Sequence, residues 1–139
     1  MSDSTGAKTF VVPVRVYYED TDAGGVVYYA NYLRFMERAR TEWLRTLGFE
    51  QDELARTQGV LFAVRSAAID FIKPARFNDE LEVTVEITKR GHASMTFHQQ
   101  VRRAEELLCQ ADVRIACIGT VDFSPQALPT AISKRLDQD

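Results

Sequence analysis

Between Leu81 and Thr88 apolar and polar residues alternate without a break: Leu81, Val83, Val85 and Ile87 against Glu82, Thr84, Glu86 and Thr88. Successive side chains of an extended chain point to opposite faces, so this period of two predicts a strand with one face buried. Further upstream the period changes. Tyr32, Phe35, Met36, Ala39, Trp43 and Leu47 recur at spacings of three and four, with Arg34, Glu37, Arg38, Thr41 and Arg45 mostly off that stripe. Such spacing predicts a long amphipathic helix broad enough to pack on a sheet. Asn31 is placed to cap its start and Gly48 to end it.

The remaining segments follow the same logic. Phe10 to Tyr18 is β-branched and aromatic, which predicts a first strand, and Pro13 suits an edge. Glu19 to about Val27 is a turn, and Glu50 to Thr57 a short helical turn broken at Gly59. Val60 to Ile72 predicts a long strand with small residues at its middle, Ser66, Ala67 and Ala68, stopped by Pro74. Lys89 to His92 predicts a turn, and Met95, Phe97 and Val101 carry a further alternating strand. A turn at Ala104 to Glu106 leads into a last strand, Leu107 to Asp122, with Val113, Ile115 and Cys117 on one face. Beyond Phe123, with Pro125, Pro129 and a charged end, a loose tail or short terminal turn is expected, and residues 1 to 9 are expected to fray. One strand, one long helix and four more strands define an α+β layer: a five-stranded antiparallel sheet with a helix on one face.

Length and charge narrow the function. A chain of 139 residues fits one domain spanning 1–139, with 1–9 and about 124–139 peripheral. A net charge of -3 argues against a dedicated nucleic-acid binder, which carries a basic excess. No apolar run is long enough to span a bilayer, and the N-terminus lacks the apolar core of a secretory signal, so a cytoplasmic location is expected. Cys109 and Cys117 are too few for a disulfide framework and, eight residues apart on one strand, too distant to bridge. They are expected to be buried free thiols. His92 and His98 show no metal-ligand spacing, and P-loop, dinucleotide-fingerprint and G-x-S-x-G patterns are absent.

The candidate chemistry lies in Tyr17 to Gly48, where an acidic, glycine-rich turn runs into the helix. A carboxylate there can act as base or nucleophile, and the free N–H groups of a helix start can polarise a carbonyl. The run Asp20-Thr21-Asp22-Ala23-Gly24-Gly25-Val26-Val27-Tyr28-Tyr29-Ala30-Asn31-Tyr32 resembles the signature of the 4-hydroxybenzoyl-CoA thioesterase family. The branch it resembles more closely is that of bacterial acyl-CoA thioesterases associated with the Tol–Pal cell-envelope system. Glu37-Arg38-Ala39-Arg40-Thr41-Glu42 and Phe71-Ile72-Lys73-Pro74-Ala75-Arg76 resemble that branch too, and the similarity runs from about Val14 to Val121.

The resemblance implies a hotdog fold, a sheet wrapped around one central helix. It also implies a homodimer, assembling to a homotetramer, with active sites at the subunit interface. It places the catalytic carboxylate at Asp22 and the polarising donor at the Tyr29 backbone, with Gly25 and Val26 against the thioester. Lys89, Arg90 and Ser94 fall where the family contacts the coenzyme A phosphates, with Arg65, Lys73 and Arg76 as alternatives. Tyr29 departs from the His or Phe usual at its position. Asp20 and Glu19 are expected to be solvated or capping, a carboxylate pair with Asp22 being the alternative for Asp20. No metal or cofactor is expected beyond the coenzyme A of the substrate, and acyl carrier protein is a possible second carrier. Two rivals stand beside hydrolysis: a dehydratase or hydratase, which needs a His paired with an acid, and a non-catalytic binder of acyl-CoA or acyl carrier protein.

Overall fold

The computed structural model describes residues 9–138. The expected fraying of the first residues therefore falls almost wholly outside the described ones. The chain order is β1 (Phe10–Arg15), a 3-10 turn (Tyr18–Asp20), α1 (Ala30–Thr46), α2 (Gln51–Gln58), β2 (Val60–Phe71), β3 (Glu80–Arg90), β4 (Ser94–Arg103), β5 (Glu106–Gly119) and α3 (Thr130–Gln138).

The strands form one antiparallel sheet in the order β1-β3-β4-β5-β2, as the hotdog resemblance implies. The register puts the alternating apolar residues on one face. Leu81, Val83 and Val85 of β3, Met95, Phe97 and Val101 of β4, and Val113, Ile115 and Cys117 of β5 are all buried there. α1 packs on that face, chiefly over β3 and β1, burying Tyr32, Phe35, Met36 and Ala39. Burying a large apolar side chain stabilises by about 1.5–3 kcal/mol, so this stripe accounts for the helix being held so firmly. Trp43 stays half-buried, its ring edge-on to Phe97 at 5.2 Å. At the C-terminal end of α1, Gly48 takes φ +98, and Phe49 N–H closes back on Leu44 O at 3.1 Å.

Three expectations change. The first strand ends at Arg15, because Asp20 Oδ2 accepts the Tyr17 N–H at 2.8 Å and winds Tyr18–Asp20 into a 3-10 turn. Asn31 is not the cap of α1: Tyr29 holds that position, with no side-chain cap, and Asn31 is already helical. The expected tail is instead the helix α3. Leu128 and Ile132 are buried with the main core and Leu136 packs against it, while the Pro129 carbonyl accepts the Ile132 and Ser133 N–H groups.

Two buried polar groups support the sheet. Gln99 is fully buried; its Oε1 accepts from Arg40 at 2.9 Å and its Nε2 donates to Met36 O and Thr84 O, both at 3.1 Å. The Gln100 N–H donates to Thr84 Oγ1, so side chains stand in for ladder bonds between β3 and β4 at this point. Arg40 borders a cavity of about 110 Å³ walled by Trp43, Leu44, Phe62, Met95, Phe97 and others. Burial lowers its pKa, opposed by Glu37.

Candidate active site

The residues from Asp22 to Val26 close a tight loop. Asp22 N–H donates to Val26 O at 2.9 Å, Gly25 N–H donates to Asp22 O at 3.0 Å, and Thr21 bridges Val27. Gly25 sits at φ +79, a conformation costly for a residue with a Cβ, and open space lies beyond it. A Cβ on Gly24 would stand 3.3 Å from Asp22 Oδ1. That oxygen accepts the Gly24 N–H at 2.9 Å, which fixes the carboxylate rotamer. The other oxygen has no partner among the described residues, and the side chain is exposed.

The loop rests on the segment between β2 and β3. Val26 bridges Arg76, Val27 N–H donates to Ala75 O at 2.8 Å, and Ala75 N–H donates to Tyr32 Oη at 2.9 Å. Burial raises the Tyr32 hydroxyl above its ordinary pKa, against the lowering effect of the Ala75 N–H, so Tyr32 is a neutral structural phenol. Beneath lies an ion network: Arg103 reaches Asp79 at 2.7 Å and Glu106 at 2.5 Å, and Lys73 reaches Glu106 at 2.7 Å.

The helix start comes next to the loop. Tyr28 N–H donates to Asp20 O at 3.1 Å, and Asn31 N–H and Tyr32 N–H turn back on Tyr28 O and Tyr29 O. The N–H groups of Tyr29 and Ala30 have no acceptor among the described residues. Helix N–H groups left open at the positive end of the dipole are suited to a developing oxyanion. A cleft of about 230 Å³ opens beside it, lined by Val27, Tyr29, Tyr32, Phe71, Ile72, Lys73 and Pro74. The Tyr29 side chain is exposed, its ring tilted against Tyr28 at 4.7 Å and edge-to-face with Phe71 at 5.9 Å.

Asp22, Gly25 and Val26 thus share one loop, and Tyr29 follows it at the helix start that is bonded to Asp20 O. Lys89, Arg90 and Ser94 are not brought to it: they lie at the opposite end of β3 and the adjoining start of β4, and the run from Glu80 to Lys89 spans about 30 Å of strand. Arg90 is also tied to α3 through Ser133 O and Asp137. Of the alternative cations, Arg76 and Lys73 flank the loop directly, whereas Arg65 lies on β2. Asp20 spends its carboxylate on the 3-10 turn, which is the capping role. His98 does pair with an acid, Asp112 Oδ1 at 3.0 Å, but on the sheet face turned away from α1; His92 sits in the β3–β4 turn. Burial, with a smaller push from Asp70, drives the Cys109 thiol up to about 12, and burial raises Cys117 as well, so neither is a ready nucleophile. Among the described residues no group of three His, Cys, Asp or Glu could hold a metal ion, and no helix is long and apolar enough to cross a membrane. The sequence reading missed Asn31 as a link between loop and helix, and Gln99 with Arg40. A polar Gln99 in phase with Met95, Phe97 and Val101 was the signal for the latter.

A five-stranded antiparallel sheet packed on one long helix is the hotdog architecture. Residues 24–110 match the thioesterase superfamily model, and the chain belongs to that family. It is 46% identical over 123 residues to the acyl-CoA thioesterase YbgC of Haemophilus influenzae, covering 88% of this chain and 90% of that protein. It is 46% identical over 127 residues to the acyl-CoA thioester hydrolase YbgC of Escherichia coli O6:H1, covering 91% and 94%. Among solved structures, a probable thioesterase from Bartonella henselae superposes with a TM-score of 0.84 at 37% identity, covering 88% of this chain and all of that one.

Proposed function

We propose that the protein is an acyl-CoA thioester hydrolase in which Asp22 is the catalytic carboxylate. The observation that carries this is the free Asp22 oxygen, on a rotamer fixed by Gly24, in a loop bonded through Asp20 O to a helix start whose Tyr29 and Ala30 N–H groups are open. The thioester carbonyl oxygen points at those N–H groups, and Gly25 and Val26 form the floor it approaches. Asp22 either takes a proton from the attacking water or attacks the carbonyl carbon itself, with water then cleaving the acyl intermediate. Both routes break the C–S bond, send the proton to the departing thiolate and release a free acid and a free thiol. The Tyr29 side chain, with its ring on Phe71, forms a wall of the cleft, and its backbone does the polarising.

The active unit is a homodimer. Tyr28, Tyr29, Leu33, Phe71 and Ile72 are each 41–61% exposed, a large apolar surface around the site. Beside them β2 is a twelve-residue edge strand without a partner on its outer side among the described residues. A second copy satisfies both. In such an assembly Lys89, Arg90 and Ser94 contact the coenzyme A of a thioester bound in a neighbouring copy, since their own loop is out of reach. The resemblance supports a homotetramer with acyl carrier protein as a second carrier; the cytoplasm is its proposed location, and a link to envelope lipid metabolism belongs to the rival, non-catalytic binder. A thiol-release assay over short, long and aromatic acyl-CoAs tests the activity. Turnover of at least one class is expected; tight binding of all with no thiol released would make the protein a binder.

A further inference from the structure

Asn is a weak helix former, and at the second position of α1 Asn31 caps nothing of its own helix. Its side chain reaches back eleven residues instead: Nδ2 donates to Asp20 O at 2.8 Å. The same carbonyl accepts the Tyr28 N–H at 3.1 Å, and Asn31 N–H in turn donates to Tyr28 O at 2.8 Å. Two donors from the helix start thus converge on one carbonyl, two residues ahead of Asp22. The other arm of the loop is tied elsewhere, by Val27 N–H to Ala75 O. The direct bonds from helix start to the acidic arm are therefore the Tyr28 and Asn31 bonds alone among the described residues.

We propose that Asn31 is a positioning residue, whose side-chain amide holds the Asp22 loop in register with the open Tyr29 and Ala30 N–H groups. The inference rests on the catalytic reading of Asp22. Its physical basis is the steep cost of misplacement: reacting groups must be held in near-attack geometry, and a displacement of about 1 Å costs about 100-fold in rate. Without the Asn31 amide the Asp20 carbonyl keeps one bond to the helix start, at 3.1 Å, in place of two converging ones. Asn31 is only partly buried and lies outside the hydrophobic cluster, so replacing its side chain opens no cavity in the core.

The test is a double-mutant cycle on the purified full-length protein. Asn31→Asp keeps the shape and removes the donor at neutral pH; Asn31→Ala removes both and guards against an effect peculiar to the new carboxylate. Each is measured alone and combined with Asp22→Asn, by steady-state thiol release on the best acyl-CoA and by thermal unfolding. We expect kcat to fall about 10- to 100-fold with KM within about twofold, and no further loss when Asn31→Ala is added to Asp22→Asn. Wild-type kcat in both Asn31 variants would overturn the proposal. So would a loss that multiplies fully with that of Asp22→Asn, or one that tracks a fall in Tm, since either marks a structural role. Full activity in Asp22→Asn alone would instead bring down the catalytic reading, and is read without reference to Asn31.

Discussion

A residue's meaning here depends on which backbone groups it leaves open as much as on those it satisfies. Asp22 and the Asp-x-Asp turn were legible because the motif is local: the same few residues that form the loop also carry the carboxylate. That Tyr29 falls near the helix start was legible for the same reason, although the absence of a cap could not be read from its sequence. Gln99 and Arg40 were harder, because 59 residues separate partners that meet only once β4 lies under α1. Their bond makes a direct prediction. Gln99→Leu removes the acceptor of a largely buried guanidinium and the donor to two buried carbonyls, so we expect a loss of about 2–4 kcal/mol. Urea unfolding should show a lower midpoint with an unchanged slope. An unchanged midpoint would mean that Arg40 finds another partner.

At the scale of elements, the segment from Lys73 to Asp79 acts as the bed of the site, and charge holds it down. Lys73 first and then Arg103 hold the Glu106 carboxyl well below its ordinary 4.5, at about 2. A carboxyl with a depressed folded pKa contributes stability that is present above the unfolded value and lost as pH falls through the folded one. The bed should therefore loosen between about pH 4.5 and about 2. Amide protection factors at Ala75 and Val27, with the intrinsic pH dependence of exchange divided out, should fall across that window as pH drops in the native protein and show a flatter profile in Glu106→Gln. Parallel profiles would remove Glu106 from the latch. The main elements were legible because β3 and α1 carry clean periods of two and of three to four. The terminal helix was not, though Leu128, Ile132 and Leu136 recur every four residues: the prolines outweighed three apolar positions. Pro129, read as a breaker, serves as the helix start, where a missing N–H costs nothing.

At the scale of the whole molecule, β2 is an outer strand with an open edge among the described residues, and the cleft beside Tyr29 opens onto the same apolar surface. The sequence showed small residues at the centre of β2 but not what they face, since one chain carries no trace of its partner. If β2 pairs with a second copy, Ala67→Glu should place two charges against each other at the joint. Light scattering should then report a single chain where the native protein reports a multiple, and thiol release should fall with the assembly. A monomeric native protein at full activity would contradict the dimer. The measurement that bears most directly on the whole reading remains kcat/KM for thioester cleavage in Asp22→Asn against the native protein, on whichever acyl-CoA is cleaved best. A drop of about 100-fold or more with the fold intact is the expected result. A variant that cleaves within about tenfold of the native rate would place the chemistry somewhere other than the carboxylate at the open start of α1.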